Sequence, residues 1–275
     1  MRLFVFGLGY TAQALARRLR GEGWHVAGTG RAGTVDFEDG EGVRHALAMA
    51  THILSSVPPA DERDPVLARY ADVLGESAAW LGYLSSTGVY GDAGGAWVDE
   101  TAPTGTGRRA ARSAADAAWL ARGARVFRLP GIYGPGRSAL DRVAAGTAHR
   151  TGLTAQVFSR VHVEDIVTGV IAGFAAPPGA YNLADETPAS HDAVVTFAAR
   201  LLGLPPPPVV AIEGLSPMSR GFYAENRRIA NGKAKRLLGW RPLYRDYRAG
   251  LRSVKAISNP TITSAPPAID SVDQR

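Results

Sequence analysis

One stretch near the start of the chain, RLFVFGLGYTAQALARRLRGEGWHVAGTGR at residues 2–31, constrains the fold more than any other part of the sequence. It opens with an apolar run that is short enough for a buried parallel strand. The glycine-containing segment GLGYTA follows, and then a helical pattern runs from Thr11 to about Arg20. A second apolar run at Trp24–Gly28 predicts another strand. The stretch therefore predicts a strand–turn–helix–strand unit of about thirty residues.

The small residues of the turn explain what such a unit can bind. Gly7 permits a tight turn off the strand, Gly9 lets a ligand approach the backbone, and Ala12 lets the helix pack closely on the strand. The helix N-terminus then offers unpaired N–H groups and a positive dipole end to phosphates. This pattern predicts a dinucleotide site, with a purely structural turn as the alternative. The predicted contacts of the turn are Gly7, Gly9, Tyr10, Thr11 and Ala12.

The end of the second strand bears on the choice of dinucleotide. An acidic residue there usually holds the ribose 2′-hydroxyl of NAD, whereas an arginine accommodates the 2′-phosphate of NADP. The sequence is GTGR, with no carboxylate and with Arg31, and Thr29 adds a hydroxyl. We therefore expect NADP, and NAD less so. The alternative is that Arg31 is an ordinary solvated arginine.

Composition limits the class of protein. The chain has 275 residues, 45% hydrophobic and 20% charged, as in globular proteins with a sizeable core. It has no cysteine, which excludes disulfides, thiolate nucleophiles and Cys-based zinc sites and fits a cytoplasmic location. No apolar run predicts a membrane helix, and no metal-ligand spacing is present. The net charge of +6 is spread along the chain, so an anionic cofactor or substrate explains it better than nucleic acid does.

Strand and helix patterns alternate through the first half of the chain, which predicts a parallel sheet covered on both faces. The segments expected are a short third strand at Val35–Phe37, strands at 51–59, 80–86 and 125–129, and helices at 43–49, 65–79 and 111–121. The carboxyl end of the strand at 51–59 would border a cofactor crevice. Its candidate contacts there are Ser56, Val57 and Pro58.

The character of the sequence changes at Pro130, which indicates a second domain. We expect an α/β protein with a Rossmann-type, doubly wound parallel sheet and a small C-terminal α/β substrate-binding domain. The predicted division is residues 1–130, rejoined by parts of 155–185, then mainly 131–252, then a tail at 253–275. That tail is polar, proline-rich and aperiodic, so it is predicted to be disordered.

Six motifs in this order resemble the extended short-chain dehydrogenase/reductases, the family of NAD(P)-dependent sugar epimerases and dehydratases. They are GLGYTA, SSTGVYGD followed by DETAP, RLPGIYGPGR, RVHVEDIV, GAYNLADE and KRLLGWRP. The resemblance covers roughly residues 2–252. It implies that the phosphates of the cofactor lie on the glycine turn and that the nicotinamide lies near Pro130, Gly131 and Ile132. It also implies that Ser86 is the catalytic Ser or Thr that holds a substrate oxygen.

The sequence departs from this family at the catalytic dyad. The family has a YxxxK motif after DETAP, whereas this chain has PTGTGRRAARSAADAAWL. Setting Asp116 against the acidic residue that follows the family's Lys puts Arg112 at the Lys position and Arg108 at the Tyr position. Arginine stays protonated near neutral pH and cannot relay the proton, although Arg112 could hold a phosphate or ribose. Tyr90 is then the nearest replacement acid, or else a wall of the pocket.

Two functions follow from this departure. One is an NADP(H)-dependent oxidoreductase or epimerase-like enzyme that acts on a small polar substrate, with an anionic substrate as one option. The other is a non-catalytic NADP-binding redox sensor or regulator. Substrate identity, hydride direction and oligomeric state, including a homodimer, stay open. The candidates to hold an anionic substrate are the arginines at 108, 109, 112, 128, 137 and 160.

Overall fold

The computed structural model describes residues 1–60, 62–107 and 110–258, except for the side chains at 218, 219 and 258. Ten strands, β1 to β10, lie in this part of the chain. In order they are Arg2–Phe6, His25–Gly28, His52–Ser55, Trp80–Ser86, Trp97–Val98, Arg125–Leu129, Gly131–Tyr133, Arg160–His162, Gly179–Asn182 and Arg228–Ile229.

The same part of the chain holds ten α-helices, α1 to α10. In order they are Tyr10–Gly21, Gly40–Ala48, Pro65–Glu76, Ala110–Ala121, Ala139–Ala144, Val163–Ala172, His191–Leu202, Pro217–Tyr223, Gly232–Leu237 and Tyr247–Ser258. Within the described ranges, none of these helices has the length and apolar character needed to cross a membrane.

Six strands form one parallel sheet in the order β2-β1-β3-β4-β6-β9. The chain builds outward from β1 to β2 on one side and then returns to place β3 on the other side. The strand order therefore reverses between β1 and β3, and ligands of such sheets bind at the carboxyl ends of the strands at this reversal. Phe6 of β1 lies beside Ser55 of β3, which brings Gly7 and Ser56 together at that edge.

Both faces of the sheet are covered by helices. Apolar residues of α1 and α6, such as Leu15 and Ile166, are buried in the core on one face. Residues of α2, α3 and α4, including Tyr70 and Trp119, form the core on the other face. The predicted Rossmann-type, doubly wound arrangement is confirmed.

The expected third strand at Val35–Phe37 is wrong, because this segment has no strand pairing. The amides of Thr34 and Val35 instead donate to the carbonyl of Gly28, which folds the segment back over the end of β2. The Tyr70 hydroxyl donates to the Phe37 carbonyl at 2.6 Å. The Tyr70 side chain thus supplies the hydrogen bond to Phe37 that a neighbouring strand would otherwise make.

The C-terminal part of the chain adds a helical layer and two short parallel sheets. Strand β7 pairs with β8, and β5 pairs with β10. Helices α5, α7 and α10 share an apolar core that includes Tyr247, Leu251 and Val254. The division into two domains at the predicted boundaries stays a prediction.

Helix α10 corrects the predicted start of the disordered tail. It continues to Ser258, and Val254 is only 1% exposed. The Ser253 hydroxyl donates to the hydroxyl of Tyr244 at 2.9 Å. Residues 253–258 are therefore part of the fold, and residues 259–275 lie outside the described residues.

Candidate cofactor and substrate crevice

The turn between β1 and α1 is held in place by the hydroxyl groups of Thr29 and Ser56. Gly7 has φ +81°, a conformation that side chains other than glycine rarely adopt. Its amide donates to the Thr29 hydroxyl at 3.1 Å. Its carbonyl accepts a hydrogen bond from the Ser56 hydroxyl. Both polar groups of Gly7 are thus fixed by the ends of the neighbouring strands.

Gly9 presents the open side of this turn. It is the N-cap of α1 with φ −82°, and no side chain caps the helix. A Cβ built on Gly9 would find no atom within 4 Å, whereas one on Gly7 would meet Val57 Cγ2 at 2.9 Å. The backbone at Gly9 is therefore accessible to a ligand, and the N–H groups of the first helical turn are available for phosphate.

A cavity of about 880 Å³ runs from this turn along the ends of β4, β6 and β7 into the C-terminal part of the chain. Ten of the sixteen residues predicted as cofactor contacts or catalytic residues line it. They are Gly9, Tyr10, Thr11, Ser56, Pro58, Ser86, Arg112, Pro130, Gly131 and Ile132. The carboxyl ends of separate strands thus bring these residues into one crevice.

Six predicted residues are not among those that line the cavity: Gly7, Ala12, Thr29, Arg31, Val57 and Tyr90. Thr29 is 2% exposed, and its hydroxyl supports the glycine turn by accepting a hydrogen bond from the Gly7 amide; its contact with a cofactor stays a prediction. Val57 packs its side chain under Gly7, and Ala12 lies in the core at 1% exposure.

Arg31 follows the end of β2 and is exposed. Within the described residues its side chain has no hydrogen bond or ion pair. Asp36, the nearest acid after β2, accepts a hydrogen bond from the amide of Glu38 at 3.0 Å and so closes a local turn. Positions 29–34 contain no carboxylate. The end of β2 thus presents an exposed guanidinium that has no hydrogen-bonded or ion-pair partner in the described part of the chain.

Ser86 ends β4 and caps the 3-10 helix Thr87–Tyr90. Its hydroxyl oxygen accepts a hydrogen bond from the amide of Gly88 at 3.1 Å. Among the described residues, the Ser86 hydroxyl has no acceptor for its own proton. The geometry therefore fixes the oxygen and leaves the O–H group able to donate to a ligand oxygen in the crevice.

Tyr90 does not lie where the sequence suggested. The expectation that it faces the crevice, as an acid or as a pocket wall, is corrected by its burial at 3% exposure. Its hydroxyl donates to Asn182 Oδ1 at 2.8 Å and accepts from Arg128 Nη1 at 3.0 Å. Burial raises the pKa of Tyr90 above its usual value. Both hydrogen-bonding capacities of the hydroxyl are already used.

Arg128 belongs to a buried ion pair that the sequence analysis did not foresee. Its Nη2 and Nε donate to the two carboxylate oxygens of Asp116 at 2.7 and 3.1 Å. The Ser85 hydroxyl donates to the same carboxylate at 2.6 Å. Arg128 was a candidate for binding an anionic substrate, and this pairing in the core excludes it from that role.

The pairing of Asp116 also fixes the rotation of α4. Residues four apart lie on the same face of a helix, so Arg112 is brought toward the same edge of the sheet as Asp116. Arg112 lines the crevice, as expected for the position that the family's Lys would hold. Arg108 and Arg109 lie outside the described residues.

The far end of the crevice is rich in positive charge. Arg160, expected from the sequence, lines it together with Arg142 and Arg227. Arg137, also expected, lines the crevice at its other end, where its guanidinium lies 5.5 Å from the ring centroid of Tyr10. His149 and His191 also line the far end, with ring centroids 5.5 Å apart. These additional residues come from α5, α7 and two loops that are distant in sequence. No short motif connects them, which is why the sequence did not indicate them.

The glycine turn and the reversal of strand order thus form one edge of the crevice. No family model matches the chain. The chain is 42% identical to a functionally unknown conserved protein from Silicibacter pomeroyi, over 93% of this chain and 98% of that one, with a TM-score of 0.83. The chain belongs to the family of this conserved protein.

More distant solved structures share the fold. Human epimerase family protein SDR39U1, solved with NADPH, is 17% identical over 92% of this chain and 99% of that one, with a TM-score of 0.73. The dTDP-glucose 4,6-dehydratase of Bacillus anthracis, solved with NAD, is 18% identical over 94% and 97%, with a TM-score of 0.75. These structures confirm the fold that the sequence motifs implied.

One curated relative matches part of the chain. The 3-diazoavenalumate denitrifying reductase of a Streptomyces species is 33% identical over 138 residues. The match covers 46% of this chain and 45% of that protein, so the chain matches less than half of the relative's length.

Proposed function

We propose that the protein is an NADP(H)-dependent oxidoreductase of the extended short-chain dehydrogenase/reductase type that acts on a small polar substrate. The observation that carries this proposal is the continuity of the crevice. One cavity joins the open glycine turn, the Ser86 hydroxyl and a polar compartment in the C-terminal part of the chain. The partial match to a reductase supports the same reaction class.

The residues of the turn fit a dinucleotide. The absence of a side chain at Gly9 leaves space where a pyrophosphate would contact the backbone, and the uncapped α1 supplies N–H donors. Pro130, Gly131 and Ile132 line the crevice at the ends of β6 and β7, where the nicotinamide would be held. When bound, the cofactor supplies or accepts the hydride.

NADP is the preferred dinucleotide in this proposal. Arg31 is exposed, has no partner among the described residues and follows a strand end without a carboxylate. A 2′-phosphate would pair with the guanidinium, whereas the ribose of NAD would find no acidic residue in 29–34 to bind its 2′-hydroxyl.

Two variants test cofactor binding separately from folding. Arg31→Ala should weaken NADPH binding by roughly tenfold or more and leave NADH binding nearly unchanged, because it removes a charge-assisted contact worth about 1.5–3 kcal/mol. Gly9→Val should abolish binding of both, since its side chain enters the space that the ligand needs. Fluorescence titration of NADPH and NADH measures both effects.

The matched control for Gly9→Val is Gly21→Val, at the other end of α1. A Cβ on Gly21 also meets nothing within 4 Å. Both variants should remain folded, with unfolding free energies within about 1 kcal/mol of each other. Equal loss of NADPH binding in the two variants, or tighter binding of NADH than NADPH by the natural chain, would contradict the proposal.

In the proposed reaction, Ser86 orients the reacting oxygen of the substrate. Its oxygen is fixed by the Gly88 amide, and its proton is available for donation. Ser86→Ala should reduce turnover by roughly 100-fold, as loss of one oriented donor does, while NADPH affinity stays unchanged. Steady-state oxidation of NADPH against a panel of small carbonyl compounds measures this effect.

A second candidate function, an NADP-binding redox sensor, is favoured by one observation. Tyr90, the nearest replacement for the missing tyrosine acid, is buried and fully hydrogen-bonded. If NADPH binds tightly but a broad panel shows no turnover even in single-turnover experiments, the sensor replaces the oxidoreductase.

A further inference from the structure

The far end of the crevice carries charge that the cofactor proposal does not use. Its centre is formed by Arg142 of α5, Arg160 of β8, His191 of α7 and His149 of the loop that follows α5. We call these four residues the basic compartment. Glu225 also lines the crevice, but its carboxylate lies 2.8 Å from the Arg227 guanidinium. Glu225 is the one acid among the described lining residues, so Arg142 and Arg160 have no acidic partner in the lining of the crevice.

Arg160 is held in place without neutralisation. Its Nη1 donates to the carbonyls of Phe158 and Ala189 at 2.7 and 2.9 Å. Nε and Nη2 form no hydrogen bond with the described residues. Burial lowers the pKa of Arg160 to about 10, so the guanidinium stays charged at neutral pH. A rigid guanidinium with two unused donors is suited to bind an oxyanion.

Two acids lie near the compartment, but neither is among the residues that line the crevice. Asp185 is 2% exposed and lies close enough to Arg160 to affect its pKa, and burial raises the pKa of Asp185 to about 8. The carboxylate of Asp192 accepts hydrogen bonds from the amides of Thr151 and Gly152, each at 2.8 Å. Among the described residues that line the compartment, basic side chains therefore outnumber acids.

Of the two histidines, His149 has the unused ring nitrogen. His191 Nε2 lies 3.0 Å from the carbonyl of His149, which indicates that this nitrogen carries a proton. His149 Nε2 is buried and has no hydrogen-bond partner among the described residues. An unpaired buried ring nitrogen costs free energy unless a ligand or water satisfies it. The compartment therefore contains unused hydrogen-bonding capacity as well as charge.

Aromatic rings form the walls next to these groups. The ring centroids of Phe158 and Tyr223 are 5.7 Å apart, and those of Tyr223 and His191 are 6.3 Å apart. Both pairs are arranged edge to face. Phe222, on the same short helix as Tyr223, lines the crevice although it is 58% exposed. A flat apolar group would bury these ring surfaces.

We propose that the basic compartment binds the oxyanion of the substrate, a carboxylate or a phosphate, while the flat apolar body of that substrate lies against Phe158 and Tyr223. This inference rests on the proposed function, because it assigns the substrate class of the same crevice. Arg160 and Arg142 supply the charge, and His149 supplies a neutral donor when its Nε2 is protonated.

The test uses cinnamate, phenyl phosphate and the neutral analogue cinnamyl alcohol as probes in isothermal titration. Each is titrated into the full chain with and without saturating NADP⁺. At least one anionic probe should bind about tenfold or more tightly than cinnamyl alcohol. The tighter of the two anions identifies carboxylate or phosphate as the preferred group.

Arg142→Gln is the main variant, since Arg142 is exposed on α5 and its side chain has no hydrogen-bonded partner in the described part of the chain. It should weaken binding of the anionic probe about tenfold and leave the affinities for cinnamyl alcohol and NADPH unchanged. His149→Gln, which removes the imidazole, should also weaken the anionic probe. Arg122→Gln, at an exposed position directly after α4, is the matched control and should leave the affinities for the anionic probe and for NADPH unchanged.

Three results would overturn the proposal: equal binding of anionic and neutral probes, no binding of any probe, or an Arg142→Gln variant that weakens NADPH as much as the anion. The last result would assign the basic compartment to the cofactor phosphates. Failure of NADPH binding alone affects the proposed function instead, because the titrations without NADP⁺ still measure the compartment.

Discussion

Replacing Arg128 by Met should destabilise the protein far more than replacing an arginine that makes an ion pair of the same length at the surface. Arg128 and Asp116 are 4% and 2% exposed at their side chains, and their closest atoms are 2.7 Å apart. Arg44 and Asp72 are also 2.7 Å apart, but they are 45% and 61% exposed. The two pairs thus have the same length and differ in burial.

The magnitude follows from what the substitution leaves behind. Among the hydrogen bonds to the Asp116 carboxylate described above, only that from the Ser85 hydroxyl remains without Arg128, and the Tyr90 hydroxyl loses its donor. Removing one partner of a buried pair costs about 3–5 kcal/mol, because the remaining charge stays buried without compensation. For a chain of this size that corresponds to a fall in melting temperature of roughly 6–20 °C.

Thermal and urea unfolding of Arg128→Met, Arg44→Met and the natural chain measure this difference. Arg44→Met should leave the melting temperature within experimental error. The double variant Arg128→Met/Asp116→Leu removes both charges and should cost less than the sum of the single substitutions. If Arg128→Met unfolds at the same temperature as Arg44→Met, the reasoning from burial is wrong.

Two further predictions concern the C-terminal part of the chain. Val254→Ala should lower the unfolding free energy by about 2 kcal/mol, since Val254 is 1% exposed. Ile257→Ala, at a 59% exposed position of the same helix, is the control and should have little effect in urea unfolding. Equal effects of the two substitutions would show that α10 does not pack against α5 and α7. His162 is fully buried, and burial lowers its pKa to about 4, so the folded state requires the neutral ring and loses stability as pH falls from about 6.5 towards 4. Relative to His162→Gln, the natural chain should therefore lose about 2–3 kcal/mol between pH 7.5 and pH 4.5, and parallel pH profiles would contradict this assignment.

The local unit at the start of the chain could be predicted because its signals are contiguous. Gly7 and Gly9 adopt the two distinct conformations that the motif requires, one with positive φ and one open to a ligand. The same stretch contains both strands and the helix, so nothing distant has to be known. Ser86 was also placed correctly at the end of its strand, since that position depends only on where the strand stops.

Predictions failed where a distant residue decides the local structure. Val35–Phe37 has the composition of a strand, but the Tyr70 hydroxyl from α3 satisfies the carbonyl of Phe37 and the segment does not pair. Tyr90 could be assigned to the crevice from its spacing to Ser86, yet Arg128 and Asn182 hold its hydroxyl in the core. In both cases a hydrogen bond across more than thirty residues outweighs the local pattern.

One end of the crevice is formed by neighbouring residues of the sequence and the other by distant ones. This difference determines how each end can be identified. The cofactor end depends on one turn of consecutive residues, so a short motif is enough to detect it. The basic compartment depends on the packing of α5 against α7, which brings Arg142 towards His191 across nearly fifty positions of the sequence. Its charge pattern carries no motif, and two chains could share the glycine turn while holding quite different groups in that compartment. Substrate class in such proteins is therefore better inferred from the cations that face the crevice than from the nucleotide-binding turn.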